Sequence, residues 1–136
     1  MLDLTTGIYT KFIGSMLASY IGNRLYKGQT PAEVTYPYIV YSLISDVPEY
    51  TFSEAYERAI IQFSLYSIAS GTTEIETMFT YLKTLYDESI LTITDAVCVW
   101  MRRNNALFQV EEHTTSAGTG MVWVYHVDFE VMESLT

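Results

Sequence analysis

Apolar residues at the start of the chain recur every three or four positions, which is the spacing of one face of an α-helix. The repeat runs through residues 4–21 and predicts a single amphipathic helix there. Its main stripe consists of Leu4, Ile8, Phe12, Met16 and Tyr20. Gly22 and Asn23 follow, and both residue types tolerate the left-handed backbone that ends many helices. Gly7 and Gly14 each weaken the helix by about 1 kcal/mol relative to Ala, so we expect it to depend on packing.

A second helical period lies in the middle of the chain. It predicts a helix that has Thr72 or Thr73 as its N-cap and ends near Glu88. Thr73 and Glu76 have the spacing of a capping box, in which each side chain bonds the backbone N–H of the other residue. The apolar stripe of this helix comprises Ile75, Met78, Phe79, Leu82, Leu85 and Tyr86.

Between these helices the apolar residues alternate with a period of two, which indicates β-strands. A short strand near residues 24–26 is followed by a strand over 38–47 and another over 58–69. The segment 46–57, DVPEYTFSEAYE, contains Pro48 and is expected to be a long loop. The 38–47 strand has large apolar groups on both faces, so it needs a cover on each side, either a helix layer or a neighbouring subunit.

The last third of the chain predicts a β-hairpin with strands over 96–113 and 119–132. Its connection, TTSAGTG at 114–120, has the polar and small residues of a flexible turn. The order helix, strands, helix, strands predicts an α+β fold: an antiparallel β-sheet with two α-helices packed on one face and long loops at the ends. At 136 residues the chain is expected to form one domain, residues 1–136.

The charge balance narrows the classes of partner. Sixteen acidic residues against seven basic ones give a net charge of −9, and the basic doublet is Arg102-Arg103. Tight binding of DNA or RNA needs clustered Lys and Arg, so nucleic acid is not expected as a held ligand. No window reaches the roughly 18 apolar residues of a membrane span, and the N-terminus lacks the basic start of a signal peptide. We therefore expect a soluble, cytosolic chain.

Side chains able to do chemistry are few and scattered. His113 and His126 lie 13 residues apart with Cys98 further off, which matches no zinc-binding spacing. Cys98 stands between Val97 and Val99 in a predicted strand, which favours a buried, unreactive thiol over a nucleophile. We therefore predict no catalytic residue, no cofactor and no metal, and a chain that is not an enzyme.

Aromatic side chains exceed what one core of this size can easily hide. The chain has 12 Tyr, 6 Phe and 2 Trp. Tyrosine on a surface with few lysines is the composition of a protein–protein interface. The tyrosines that cannot all face the predicted core are Tyr36, Tyr38, Tyr50, Tyr56, Tyr66 and Tyr125. We therefore expect the chain to assemble with copies of itself or with other proteins.

Several segments, in their order along the chain, carry a resemblance to a known family. They are TPAEVTYPYIVYSLISD (30–46), IIQFSLYS (60–67), IETMFTYLKTLYDE (75–88), VEEH (110–113) and VYHVDFEV (124–131). The chain resembles the small tail-completion proteins of long-tailed bacteriophages, also called tail terminators or head-to-tail joining proteins. The resemblance covers nearly the whole chain, and its most specific part is the Tyr-Pro-Tyr start followed by strand, loop, strand and helix.

This resemblance implies a structural virion protein that forms a hexameric ring at the end of the tail tube. Such a ring stops tail polymerisation and offers a face to the head connector or stopper, and DNA passes through it without specific binding. The implied partners are copies of the chain itself, the tail tube protein and the head connector protein, with no membrane. The implied location is the tail end or neck of the virion, after assembly in the host cytoplasm.

Two groups of residues are the predicted sites on this interpretation. The subunit or partner interface comprises Tyr38, Tyr41, Tyr50, Phe52, Tyr56 and Tyr66. The lumen or docking loop comprises Glu111, Glu112, His113 and Thr119. Because each copy has a net charge of −9, a ring would have an acidic lumen along which DNA slides rather than adheres.

Two other functions stay open at this point. The chain could be a different structural protein of the virion neck, such as a connector stopper. It could also be a small-molecule-binding α+β protein or enzyme, which requires a concave pocket with converging polar groups. The scattered polar residues and abundant aromatic ones favour the virion functions.

Overall fold

The computed structural model describes residues 2–50, 52, 55–93, 96–115 and 118–134, which fold into one five-stranded sheet and three helices. In chain order the elements are α1 Leu2–Phe12, α2 Met16–Ile21, β1 Leu25–Lys27, β2 Tyr38–Tyr50, β3 Ala55–Ser67, α3 Thr73–Tyr86, β4 Val97–Thr115 and β5 Gly118–Ser134. The strands lie in the order β1-β2-β3-β5-β4, with β1 parallel to β2 and the other neighbouring pairs antiparallel. The predicted α+β class is confirmed, although β1 makes the sheet mixed and a third helix is present.

The helices cover one face of the sheet. On that face β3 contributes Ile61, Phe63 and Leu65, all fully buried, as the sequence alternation predicts. Phe63 stacks on Tyr86 of α3 with ring centroids 5.0 Å apart, and it meets Phe129 of β5 edge-on at 5.6 Å. Since each fully buried apolar side chain of this size contributes about 1.5–3 kcal/mol, this cluster holds α3 firmly on the sheet.

Two buried tyrosine hydroxyls form hydrogen bonds with the backbone of α1. Tyr86 donates to the carbonyl of Ile8 at 2.8 Å, and Tyr41 of β2 donates to the carbonyl of Thr5 at 3.2 Å. Burial raises the pKa of both hydroxyls above the ordinary 10.0, so both stay protonated donors at neutral pH. The position of α1 is therefore fixed by hydrogen bonds as well as by its apolar stripe.

The single helix predicted over 4–21 is wrong, because two helices occupy that stretch. Gly14 takes a left-handed backbone with φ +81°, which separates them. Ser15 then starts α2, and its hydroxyl accepts a hydrogen bond from the Ala18 N–H at 3.1 Å. Gly22 ends α2 at φ +62°, as predicted. The predicted stripe does not continue across the break: Met16 and Tyr20 are exposed, and α2 buries Leu17, Ala18 and Ile21 instead.

The long loop predicted over 46–57 is also wrong, because most of it is strand. β2 continues to Tyr50 and β3 begins at Ala55, which lies opposite Tyr50 in the ladder. Pro48 is tolerated here because β1 pairs only with residues 39–41, so the rest of β2 is an edge strand in the described part of the chain. The short strand predicted near 24–26 is confirmed as β1.

The start of α3 differs in detail from the prediction. Thr72 is its N-cap, as one of the two predicted candidates, but the Thr72 hydroxyl donates to the Glu76 carboxylate at 3.3 Å and makes no bond to the helix backbone. The capping box predicted between Thr73 and Glu76 does not form, since Thr73 is already the first helical residue. The helix ends at Tyr86, two residues before the predicted end.

The last hairpin is longer than predicted. β4 and β5 pair from Val97 opposite Ser134 to Thr115 opposite Gly118. The β5 residues that point to the helices and are fully buried are Val127, Phe129 and Val131. Met121 has the same parity but is largely exposed, because the hairpin there extends beyond the helix layer.

Candidate assembly surfaces

Two of the tyrosines predicted at an interface lie inside the subunit. Tyr41 is 4% exposed and lies on the helix-covered face. Tyr38 is 8% exposed on the opposite face, where the rings of Tyr66 and Tyr36 cover it at centroid distances of 4.8 and 5.0 Å. Contacts between rings of the same chain therefore bury some of the many aromatic side chains. Tyr38 and Tyr41 expose little surface that a neighbouring subunit could contact.

Three of the other four predicted interface residues, Tyr50, Phe52 and Tyr56, gather where β2 passes to β3, at a surface we call the aromatic end; the fourth, Tyr66, lies at the opposite end of the β2–β3 ladder. Tyr50 is 76% exposed, Phe52 is fully exposed and Tyr56 is half-buried. The ribbon that carries Tyr50 and Tyr56 is braced by an ion pair between Arg58 and Glu49 at 2.5 Å, and Phe52 lies in the connection between its strands. Further along β2 the exposed apolar residues are Ile44 and Val47. Large aromatic rings in solvent on a paired ribbon are suited to contact with protein.

At the other end of β2 a recess of about 210 Å³ brings together members of both predicted groups. This tyrosine recess is lined by Tyr36, Tyr38, Tyr66, Glu111, Glu112 and Val122. Burial raises the pKa of Tyr38 and Tyr66, so both hydroxyls are neutral at physiological pH. The recess is smaller than the roughly 300–1,000 Å³ of most ligand pockets, which favours a surface contact over a small-molecule site.

The predicted lumen or docking loop at 113–120 is mostly strand in the structure. Glu111 and Glu112 are exposed residues near the end of β4. His113 lies opposite Gly120 and Thr119 lies opposite Thr114 in the hairpin ladder, whereas the side chains of His113 and Thr119 lie outside the described part of the structure. Positions 116 and 117 also lie outside the described residues. The hairpin therefore carries an acidic pair on a paired ribbon rather than on a loop.

One surface was not predicted from the sequence: the outer edge of β4 over residues 102–112. β4 is the last strand of the sheet, and every residue in this stretch except Gln109 is exposed. Its exposed apolar residues include Leu107, Phe108 and Val110. The strand pattern alone could not reveal this edge, because it does not show which strand of the hairpin pairs with β3.

The side chains that could be reactive are either buried or hydrogen-bonded within the subunit. Cys98 is buried, and burial raises the pKa of its thiol, so the nucleophilic thiolate is disfavoured at neutral pH. His126 Nδ1 lies 2.8 Å from Ser64 Oγ across the sheet, while the neighbouring carboxylate of Asp128 accepts from Gln62 at 3.0 Å. Within the described residues, no group of three or more His, Cys, Asp and Glu side chains could hold a metal ion. The helices described here also lack the length and apolarity to cross a bilayer.

The chain is similar in sequence to one protein family and in fold to solved structures. Residues 8–132 match the model of a family described as tail completion protein gp17. A chain from a solved virion of a native gene transfer agent particle is 13% identical with a TM-score of 0.72, and the match covers 97% of this chain and 95% of that chain. A second solved chain is 14% identical with a TM-score of 0.53, and covers 96% and 95%. At these identities the two structures show a shared fold. No curated protein matches the sequence.

Proposed function

The chain belongs to the tail completion protein gp17 family and is a structural protein of a phage-type tail, and from this premise we propose that it caps the tail tube. The cap stops tail polymerisation and provides the joint to the head. It is a ring of identical subunits, six in number, through which DNA passes without specific binding. Its partners are the tail tube protein on one side and the head connector or stopper on the other.

The observation that carries this proposal is the aromatic end. A closed ring with one copy per position needs two different surfaces on each subunit, because each copy contacts its two neighbours through unlike faces. The aromatic end supplies one such surface, and the half-buried Tyr66 in the tyrosine recess belongs to a second. These surfaces lie at opposite ends of the β2–β3 ladder, roughly 40 Å apart by the rise of extended strands. That separation suits contacts with two neighbours.

The acidic hairpin fits the lumen or the docking face of the ring. Glu111 and Glu112 are exposed next to the hairpin end, and the ladder continues beyond them through His113 and Thr119. A net charge of −9 in each copy makes the ring repel the DNA backbone. A duplex that must move at ejection benefits from such a surface, since salt-dependent phosphate contacts would hold it in place.

Light scattering on the purified protein, with and without purified tail tubes, tests the proposal. We expect hexamers whose abundance rises with concentration, or smaller species that form hexamers on tube ends. Capped tubes are expected to stop elongating when further tube protein is added. A protein that stays monomeric at every concentration and leaves tube elongation unchanged would contradict the proposal.

A further inference from the structure

The outer edge of β4 is unpaired in the described part of the chain. On its inner side β5 pairs along the whole strand. On its outer side the Ser89 carbonyl accepts the Met101 N–H at 3.1 Å, which closes the edge as far as Met101. From Arg102 to Glu112 the edge faces solvent. Exposed strand edges present N–H and C=O groups that pair readily with another strand.

The opposite edge of the sheet is protected against such pairing. β1 has three residues, and beyond it β2 has a register shift between Leu43 and Ser45 and a proline at Pro48. Short strands, bulges and prolines are the features that keep natural sheet edges apart. The 102–112 stretch contains neither proline nor lysine, and its irregularity is a register shift after Arg103. A sheet continued from β4 of one copy into β2 of the next is therefore disfavoured.

The sequence of the open edge is self-complementary in charge. Residues 102–112 read RRNNALFQVEE, which is two cations, seven uncharged residues and two anions, symmetric about Leu107. When two such edges pair antiparallel about a two-fold axis at Leu107, the arginine pair 102–103 of each copy lies opposite the glutamate pair 111–112 of the other. The register shift after the arginine pair moves the partners by one residue, which keeps each arginine beside a glutamate.

The middle of the edge is apolar. Leu107 is 50% exposed, and Phe108 and Val110 are exposed as well. In the two-fold arrangement Leu107 lies opposite its own copy and Phe108 lies opposite Ala106. Cross-strand apolar pairs of this kind stabilise a sheet, and here they lie between the two charged ends.

The charged groups are available for a second contact. Arg102 Nε reaches Glu88 at 3.4 Å, and Arg103 Nη2 reaches Asp87 at 3.3 Å. Each guanidinium has five N–H donors, so each can bond a further carboxylate. The glutamate pair 111–112 forms no salt bridge with the described side chains of its own subunit.

We propose that two copies of this chain pair through the outer edges of β4, antiparallel about Leu107, with the arginine pair of each opposite the glutamate pair of the other. The occupant of the edge is a second copy because that arrangement alone follows from the charge order along the strand. The pairing concerns the protein before it joins a tail and does not rest on the proposed ring. It also covers a strand edge that would otherwise promote aggregation.

Charge reversal provides a test with matched variants. The first variant, Arg102→Glu with Arg103→Glu, carries four acidic residues along the edge, and the second, Glu111→Arg with Glu112→Arg, carries four basic ones. Each variant alone repels its own copy, whereas the two mixed in equal amounts attract each other. Sedimentation velocity over a wide concentration range at low salt measures the dimer, and circular dichroism checks that each variant is folded.

We expect the wild type to dimerise reversibly, and each variant alone to do so at least about ten-fold more weakly, because the exposed ion pairs become repulsions. The equimolar mixture should restore the dimer, and salt should weaken it. Hydrogen exchange of wild-type amides 103–111 should slow as concentration rises, a readout that needs no variant. A wild type without dimer, variants that dimerise like the wild type, or a mixture that stays monomeric would overturn the pairing. A hexamer with unprotected 103–111 amides would overturn it while leaving the ring intact.

Discussion

Removing the rings of Tyr50 and Phe52 tests whether the aromatic end stabilises the subunit itself or its contacts with other subunits. Tyr50 and Phe52 are exposed, so Tyr50→Ala with Phe52→Ala should change the free energy of unfolding by less than about 1 kcal/mol, the sum of two ordinary surface substitutions. At an interface a buried aromatic anchor is worth about 2 kcal/mol or more. Loss of two anchors therefore costs about 4 kcal/mol for each subunit contact, which corresponds to a roughly thousandfold weaker association.

The assay pairs urea denaturation with light scattering on tail tubes. The double variant should keep the wild-type free energy of unfolding and fail to form hexamers or to cap tubes at concentrations where the wild type does. Ile13→Ala with Ile90→Ala is the matched control, because both isoleucines are exposed and belong to neither of the two proposed subunit surfaces. The control should assemble normally. A double variant that caps tubes like the wild type would refute the reasoning, and so would one whose subunit is strongly destabilised.

Three further predictions concern the subunit itself. Gly7→Ala should lower the free energy of unfolding in urea by about 1–3 kcal/mol, because its Cβ would lie 2.7 Å from the Thr92 carbonyl oxygen. Above pH 10 the free energy of unfolding should fall by up to about 1.4 kcal/mol per pH unit for each buried tyrosine, because burial raises the folded pKa and the unfolded chain loses its proton first. Tyr86→Phe should make that slope shallower in urea titrations at successive pH values. Cys98 should react with a thiol reagent at neutral pH only after unfolding.

Each of these three predictions about the subunit would be contradicted by a specific result. A stabilised Gly7→Ala variant would mean that the gain in helix propensity, about 1 kcal/mol, exceeds the crowding. An alkaline slope unchanged by Tyr86→Phe would mean that this hydroxyl titrates alike in both states. Rapid labelling of Cys98 in the folded protein would show that the strand around it opens readily.

Periodicity predicted the faces of the sheet well because it reports which side chains meet the core. The alternation of Ile61, Phe63 and Leu65 needed no knowledge of neighbouring strands. Strand ends and helix breaks were predicted poorly. Pro48 is compatible with β2 only because the strand is an edge there, which depends on the length of β1. Gly14 separates two helices through its backbone angle, which an apolar repeat does not register.

The candidate surfaces were partly predictable for a related reason. The exposed Tyr50 and Phe52 were named from composition and position. Tyr38 was also named, but its cover comes from rings of its own chain, which meet only once β2 and β3 are in register. The outer edge of β4 could not be foreseen, because β5 inserts between β3 and β4, and nothing local in the sequence sets that order.

The most direct test of the proposed cap is the length of tails assembled without this chain. Electron microscopy of particles from a mutant that lacks the protein would measure tail length and attachment to heads. The proposed function predicts tails that are overlong and variable in length, because nothing stops polymerisation of the tube. Free tails of normal length would contradict it and would assign the chain to a joint on the head side.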